Sequence, residues 1–238
     1  MNRNTENGNV LILILVAVIL FGALSFTVGQ MLRSGNAEAI GEQQASIYAD
    51  EILGYAQQMR QAVQGMRISS GCDETEISFE NAVVAGYTNG ANTDCQVFHS
   101  DGGGMTYITP SSDFGTGTEW VFSGRPQVHG VGTTDTLLTC ATCADLVVSL
   151  YNVLDIICTR INEKMGISGI PQDSGDLNIE QFTGSYSGSD SISGCPTNAA
   201  ASCPSGTFES SELWSKPVGC FEEGATGNNV FYQVLLTR

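Results

Sequence analysis

An apolar run near the N-terminus constrains this chain more than any other feature. Residues 10–28 form a stretch of 19 residues without a charged side chain. As a helix at about 1.5 Å per residue, the run would be about 28 Å long, close to the ~30 Å hydrocarbon core of a bilayer. A cleaved secretory signal has a shorter apolar stretch, of about 7–15 residues, followed by a small-residue cleavage site. The run therefore predicts a retained membrane helix rather than an ordinary cleaved signal.

A second helical pattern follows the apolar run. The Ser-Gly-Asn sequence at residues 34–36 predicts a loosening or local break between the two. Over residues 37–66, apolar side chains recur at three-and-four spacing, with Glu and Gln between them. These apolar positions are Ile40, Ile47, Ile52, Tyr55, Ala56, Met59, Val63 and Met66. We expect an amphipathic helix over residues 34–67 whose apolar stripe packs on the chain's own domain.

The charge beyond the apolar run is strongly negative. Arg3, Glu6 and Arg33 lie before residue 34, so residues 34–238 hold 24 of the 25 acidic and 7 of the 9 basic residues, a net charge of −17. Nucleic acids and anionic lipid headgroups are recognised through Lys and Arg. The composition therefore argues against nucleic acid as a partner.

All the cysteines lie beyond the apolar run. They are Cys72, Cys95, Cys140, Cys143, Cys158, Cys195, Cys203 and Cys220. An even number of cysteines after a membrane-targeting segment indicates disulfide bonds and an oxidising compartment. The N-terminus is then expected in the cytoplasm and the large C-terminal part outside. The favoured pairs are Cys72 with Cys95, which bracket a predicted strand, and Cys195 with Cys203, which close a nine-residue loop.

The C-terminal part, residues 68–238, has the pattern of a small α+β domain. Residues 68–130 predict short strands and a hairpin closed by the glycine-rich sequence at residues 99–104. Residues 143–165 predict a helix with Thr142 as its cap, Lys164 near its end and Gly166 beyond it. Residues 171–219 are rich in Gly, Ser, Asn and Pro and predict a long surface excursion. Residues 230–236 alternate in polarity and predict a half-buried strand.

Several short motifs carry both a chemical and a structural interpretation, and the structural one is favoured for each. Cys140 and Cys143 could form a redox pair or half a zinc site, but neither a βαβ context nor a second ligand pair is found. His99, Ser100 and Asp101 are adjacent, whereas a catalytic triad is assembled from distant segments. Residues 102–104 lack the Lys-Ser/Thr of a phosphate loop.

Two further features could bind a ligand. Acidic loops at residues 173–176 and 189–190 offer oxygen ligands for Ca²⁺ without EF-hand spacing, and solvated acidic residues are the favoured interpretation. Trp120 and Trp214 are favoured as core residues over binding platforms.

The N-terminal 60 residues resemble type IV pilins and the pseudopilins of type II secretion. The matching features are a short hydrophilic leader, residues 1–8, ending in Gly8, followed by Asn9 and the apolar helix. The resemblance implies cleavage between Gly8 and Asn9 by a prepilin peptidase and methylation of the new N-terminus. Where the family commonly has Glu at the fifth mature position this chain has Leu13, which favours a rare tip or initiating subunit.

The family resemblance also implies an assembly. Residues 9–33 would pack with copies of the chain or related subunits in a filament core, where small residues permit close helix approach. Those residues are Ala17, Gly22, Ser25 and Gly29. Stretches such as DETEISFENAVVAGYTN and FYQVLLTR also resemble an uncharacterised group of pilin-like proteins of alphaproteobacteria, which implies a Gram-negative envelope.

The sequence thus predicts an α+β protein: a long N-terminal hydrophobic and amphipathic helix, then a disulfide-braced antiparallel sheet with one further helix. The expected function is that of a non-enzymatic filament subunit without metal or cofactor, held in the inner membrane before assembly and exposing its head for adhesion or partner contact. The alternative is an uncut, single-pass anchored envelope protein with a binding role.

Overall fold

A computed structural model describes residues 7–115, 117–128, 130–132, 144–173, 180–186, 190–192, 211–224 and 226–238. The chain divides into two compact units, Met1–Gln44 and Ala45–Arg238. The described part of the first unit is helical. None of the helices within the described residues is both long enough and apolar enough to cross a membrane.

The first helix, α1, spans Asn7–Ser69. It includes residues 34–36, where the sequence predicted a break; a single glycine costs a helix only about 1 kcal/mol, and the Ala and Glu residues that follow favour it. Within the second unit, one stripe of α1 is buried at alternating steps of four and three residues. The stripe consists of Ala45, Ala49, Ile52, Ala56, Met59, Val63 and Met66.

From residue 41 on, where its side chains are described, this stripe confirms the predicted amphipathic pattern with one correction; the side chain of Ile40 lies outside the described residues. The sequence pattern predicts Ile47 in the stripe, but its side chain is 62% exposed. It lies five residues before Ile52, off the 3.5-residue repeat that the two alanines, Ala45 and Ala49, continue. Small side chains therefore occupy the packed face at residues 45 and 49, and the larger isoleucine faces solvent.

The head is built on a five-stranded sheet of order β1-β3-β7-β6-β4. Its strands are β1 (Val121–Ser123), β3 (Leu146–Tyr151), β4 (Gln172–Asp173), β6 (Val218–Glu223) and β7 (Asn229–Leu236). β1, β3, β7 and β6 pair antiparallel, and the two-residue β4 adds parallel to β6. Two further strands, β2 (Pro126–Val128) and β5 (Asp190–Ile192), pair parallel to each other.

The C-terminal strand is buried on both faces. β7 lies between β3 and β6, and all of its side chains are buried. Phe231 and Leu235 join the core beneath α1, whereas Val230, Tyr232 and Val234 join a second cluster on the opposite face with Val128 and Leu213. The strand was predicted correctly, but its burial on one face only was wrong, because both faces of the sheet are covered.

The predicted helix over residues 143–165 is wrong in its first half. Residues 146–151 form β3, and the second helix, α2, spans Asp155–Met165. Leu146-Val-Val-Ser-Leu-Tyr151 is an almost continuous apolar run rich in β-branched residues, as strands buried on both faces commonly are. Thr142 lies outside the described residues, and Leu154 occupies the N-cap position. The end of α2 agrees with the prediction: Lys164 lies in the last turn and Gly166 adopts the left-handed conformation.

The segment from residue 70 to the start of β1 is mostly irregular. The predicted hairpin around residues 99–104 is not formed; Ser78 instead makes an isolated parallel bridge to Gln96. A disulfide joins Cys72 to Cys95, the pair favoured from the sequence, with Cα atoms 5.8 Å apart. A second disulfide joins Cys158 of α2 to Cys220 of β6. The head is therefore an α+β domain with an antiparallel sheet and two disulfides among its described residues.

The predicted surface excursion at residues 171–219 also contributes to the core. Phe182 and Leu213 are both buried. The ring of Phe182 packs edge-on against Phe79, at 6.4 Å between centroids. The described parts of this segment therefore pack into the core of the head, and the prediction of a purely surface segment was wrong for them.

Candidate functional site

A cleft of about 720 Å³ opens at one end of the main sheet. β3 and β6 end there, β1 and β7 begin there, and irregular segments complete the wall. The lining residues are Val84, Tyr87, Thr118, Glu119, Trp120, Val121, Tyr151, Asn152, Gln181, Glu223, Thr226 and Asn228. Ligand pockets typically have volumes of about 300–1,000 Å³, so the cleft is large enough for a small molecule or a short peptide segment.

The first wall is the segment that leads into β1. The Tyr107 hydroxyl donates a hydrogen bond of 2.7 Å to Oε2 of Glu119. The Thr118 hydroxyl donates a bond of 2.7 Å to the carbonyl oxygen of Tyr151. Burial, together with the Glu119 carboxylate, raises the pKa of Tyr107 far above its usual value, so the phenol remains a donor. The Tyr107 bond holds the Glu119 carboxylate in the wall, and the Thr118 bond ties this segment to the end of β3.

The second wall is the end of β3. Asn152 has a φ of +57°, in the left-handed region that asparagine tolerates better than most residues. A Cβ at Gly115 would overlap the carbonyl oxygen of Asn152, so glycine is required for this close approach. The chain turns sharply after Tyr151, whose ring is half-buried at the cleft.

The third wall is the turn between β6 and β7. Glu223 is buried, and its Oε2 accepts a bond of 2.6 Å from the Thr226 hydroxyl. The backbone N–H of Glu223 donates to the Asn228 carbonyl at 2.9 Å. A second carboxylate is thus held at the cleft by its own hairpin turn.

The back of the cleft is aromatic and apolar. The Trp120 indole N–H donates to the Ile108 carbonyl at 3.1 Å, and its ring lies 5.4 Å from that of Tyr55. Burial raises the pKa of Tyr87 to about 12, and its hydroxyl accepts a bond of 3.1 Å from the Phe122 N–H. Trp120 and Tyr87 both line the cleft and both belong to the core.

The cleft combines carboxylates and amides with aromatic and apolar side chains. Its described lining contains two carboxylates, three primary amides and no Lys, Arg, His, Ser or Cys. The described residues do not hold a group of three or more His, Cys, Asp or Glu side chains able to bind a metal ion.

The structure places His99, Ser100 and Asp101 in a tight turn. The Ser100 hydroxyl donates to Asp101 rather than to His99, and the Asp101 N–H donates to Nδ1 of His99 at 3.2 Å. The following glycines fold back on the preceding segment, where a Cβ at Gly103 would lie 2.6 Å from the Val97 carbonyl oxygen. This arrangement agrees with the structural interpretation of both motifs.

Other predicted site residues are described only in part or lie outside the described residues. Backbone is described at Gly8, Asn9, Ala17, Gly22, Ser25 and Gly29, all within α1, and the side chain only at Ala17. Cys140, Cys143, Cys195 and Cys203 lie outside the described residues, as do the side chains of both acidic loops. Of the tryptophans, Trp120 is buried and Trp214 half-buried.

Comparisons with protein-family models, curated proteins and solved structures find no match to this chain. The cleft itself was not predicted from the sequence. Its lining comes from five separate segments. The predicted helix over residues 143–165 also placed Tyr151 within a helix rather than at the end of a strand. The sequence does carry one signal, the Asn that directly follows the largely apolar run of residues 146–151, because Asn is typical of turns.

Proposed function

We propose that this chain is a non-enzymatic subunit of a type IV pilus-like or pseudopilus filament. The observation that supports the proposal is the buried stripe of α1, which packs residues 45–66 on a disulfide-braced antiparallel sheet. A helix that enters the head directly from an apolar N-terminal run is the arrangement that the pilin resemblance implies. The described side chains of that run, such as Leu15 and Leu20, are apolar and exposed within their unit, as a helix awaiting partners would be.

In this proposal the parts of the chain have separate roles. A prepilin peptidase removes residues 1–8, and residues 9–33 leave the inner membrane to pack with copies of the chain or with related subunits. The head, residues 68–238, is exposed outside the cytoplasm for adhesion or partner contact. No step of this cycle requires a cofactor.

The N-terminal residue and intact mass of the protein from its native cells test the proposal. We expect the mature chain to begin at Asn9 and to carry an added methyl group. A Gly8→Ala variant should retain Met1 and fail to assemble, whereas Gly35→Ala, the same change outside the leader, should be processed normally. A native chain that begins at Met1 would refute the filament role.

A chain that keeps its N-terminus would fit the second candidate, an anchored envelope protein with a binding role. The cleft favours this candidate, because a preformed concave site at the end of a rigid sheet suits ligand capture. Both candidates share an exposed head, and the state of the N-terminus separates them.

A further inference from the structure

We infer that the outer face of α1, opposite its buried stripe, packs against the same face of a second copy of the chain in a parallel, staggered arrangement. This contact rests on the proposed filament role and deepens it, because it names a surface through which neighbouring subunits touch beyond the apolar run. The residues of the outer face recur at alternating steps of four and three and are all exposed. They are Ile47, Glu51, Gly54, Gln58, Gln61, Gly65 and Ile68.

The charge along α1 is divided between two stretches. Residues 38–51 hold four acidic residues and no basic one, whereas residues 52–72 hold Arg60 and Arg67 and no acidic residue. All 24 acidic residues of the segment 34–238 therefore lie outside residues 52–72. A second copy offers this basic part of the helix an acidic surface, and such complementarity guides association and fixes the register of an interface.

The two arginines of α1 are available for a contact with another subunit. Among the described residues, neither forms a hydrogen bond or an ion pair; Arg67 is exposed near Asp73, and Arg60 is half-buried, with its Nε buried and without an acceptor. A carboxylate from a neighbouring copy would supply the missing acceptor. The other five basic residues beyond residue 33 are engaged within the subunit: Arg125 with Glu180, Arg160 with Glu163, Lys164 with Asp50, Arg238 with Glu74, and Lys216 with the Met165 carbonyl.

The uncharged residues of the outer face also suit a contact with another helix. Ile68 is 87% exposed, and Ile47 at the other end of the face is exposed as well. Gly54 and Gly65 lie in the helix interior, where glycine is much less favourable than alanine, and a Cβ at either position would meet nothing within 4 Å. The packing of the subunit itself does not require these glycines, whereas small residues let the backbone of a second helix approach closely.

The register follows from the charges and the glycines together. A parallel pair in register would oppose Glu51 to Glu51 and Arg60 to Arg60, and an antiparallel pair centred on the face would oppose Gly54 to Gln61. A parallel pair shifted by three turns, about 16 Å, places Gly54 opposite Gly65 and Glu51 opposite Gln61, beside Arg60. The two copies then use different parts of one face, and such a heterologous contact repeats into a filament unless it closes into a ring.

Charge reversal in the native cells tests this contact. Glu51→Arg would oppose two arginines and Arg60→Glu would oppose two glutamates, which is strongly unfavourable at an interface. We expect each single variant to lower the amount of assembled filament, sheared from the cells and sedimented, at least about tenfold. The double variant exchanges the two charges and should restore assembly to within about twofold of the parent.

Two further variants serve as controls. Asp94→Arg reverses a charge at an exposed position off α1 and should leave assembly unchanged. Gly65→Leu tests the close approach without a change of charge. Because leucine favours the helix and the space is open, the Tm of the purified full chain should not fall, whereas assembly should fall at least about tenfold. This variant decides the matter if Arg60→Glu does not fold.

The N-terminal residue of every variant is determined by mass spectrometry, so that processing and the contact are measured separately. A parent that begins at Met1 and forms no filament would refute the filament role and, with it, this contact. A parent that begins at Asn9 and assembles, with Glu51→Arg and Gly65→Leu variants that assemble equally well, would overturn the contact alone. A defect of folded Arg60→Glu that the double variant does not relieve would overturn it too and assign Arg60 to another anionic partner, such as a lipid headgroup.

Discussion

Replacing Ile52 with alanine tests whether the C-terminal part of α1 belongs to the head. The side chain of Ile52 is fully buried, whereas that of Ile47 on the same helix is 62% exposed. Ile52→Ala removes three carbons from the core, worth about 2.4 kcal/mol in transfer free energy, and leaves a cavity that adds to the cost. Alanine's higher helix propensity returns about 0.4 kcal/mol. We therefore expect a loss of about 3 kcal/mol in unfolding free energy.

Ile47→Ala is the matched control, with the same chemical change in the same helix. Its expected effect is within about 0.5 kcal/mol, since little apolar area is lost there. Guanidinium unfolding of the purified full chain, followed by tryptophan fluorescence, measures both variants. For a domain of this size, 3 kcal/mol corresponds to a fall in Tm of about 6–12 °C. Equal effects of the two variants would refute the packing of α1 on the sheet.

Three further predictions concern the head. Replacing Cys158 and Cys220 with alanine opens a loop of 62 residues and should cost about 4 kcal/mol on the chain-entropy model, measured by denaturant unfolding; stability equal to the parent's would contradict it. The buried side chain of Asn162 donates hydrogen bonds to the Gly169 and Cys220 carbonyls at 2.7 Å and accepts one from the Cys220 N–H at 2.9 Å. Asn162→Ala should therefore lower the unfolding free energy by about 3–5 kcal/mol, whereas Glu163→Ala at the exposed neighbouring position should lower it by less than about 0.5 kcal/mol. Burial raises the pKa of Asp145 to about 6 despite bonds from the Val128 and Arg238 N–H groups. Because this pKa is raised on folding, the protonated carboxyl of Asp145 favours the folded state; this contribution is complete below about pH 4, and about 3 kcal/mol of it is lost as the pH rises through 6. The unfolding free energies at pH 4 and pH 7 should differ by this amount in the parent and not in Asp145→Asn.

The parts of the fold that sequence reasoning predicted correctly are those whose pattern is set by local periodicity. The stripe over residues 52–66 buries apolar residues at helical spacing, and residues 230–236 form the predicted strand, although that strand is buried on both faces. The end of α2 was also correct, because Gly166 supplies the left-handed conformation that terminates a helix. In these cases the local signal and the tertiary packing agree.

The errors arise where tertiary contacts override the local pattern. Val147, Leu150, Leu154 and Ile157 fit helical spacing as well as a strand followed by a helix, and only the pairing of β3 with β1 and β7 decides between them. The predicted hairpin failed for a similar reason, because Ser78 and Gln96 pair in parallel across a disulfide-closed loop. The cleft combines residues from Val84 to Asn228, so no window of sequence contains it.

The chain's long-range contacts bear on what α1 can be. Gln57 on α1 accepts a hydrogen bond of 3.2 Å from Gln233 on β7, across 176 residues of sequence. Asp50 on the same helix pairs with Lys164 of α2 at 2.9 Å. β7 joins β3 to β6, and its Phe231 and Leu235 belong to the same core as the stripe of α1, so the surface that the stripe covers includes residues far along the chain. Residues 45–66 therefore belong to the same compact unit as the head and are not a flexible tether, and a substitution in this stretch of helix should affect the sheet that carries the cleft.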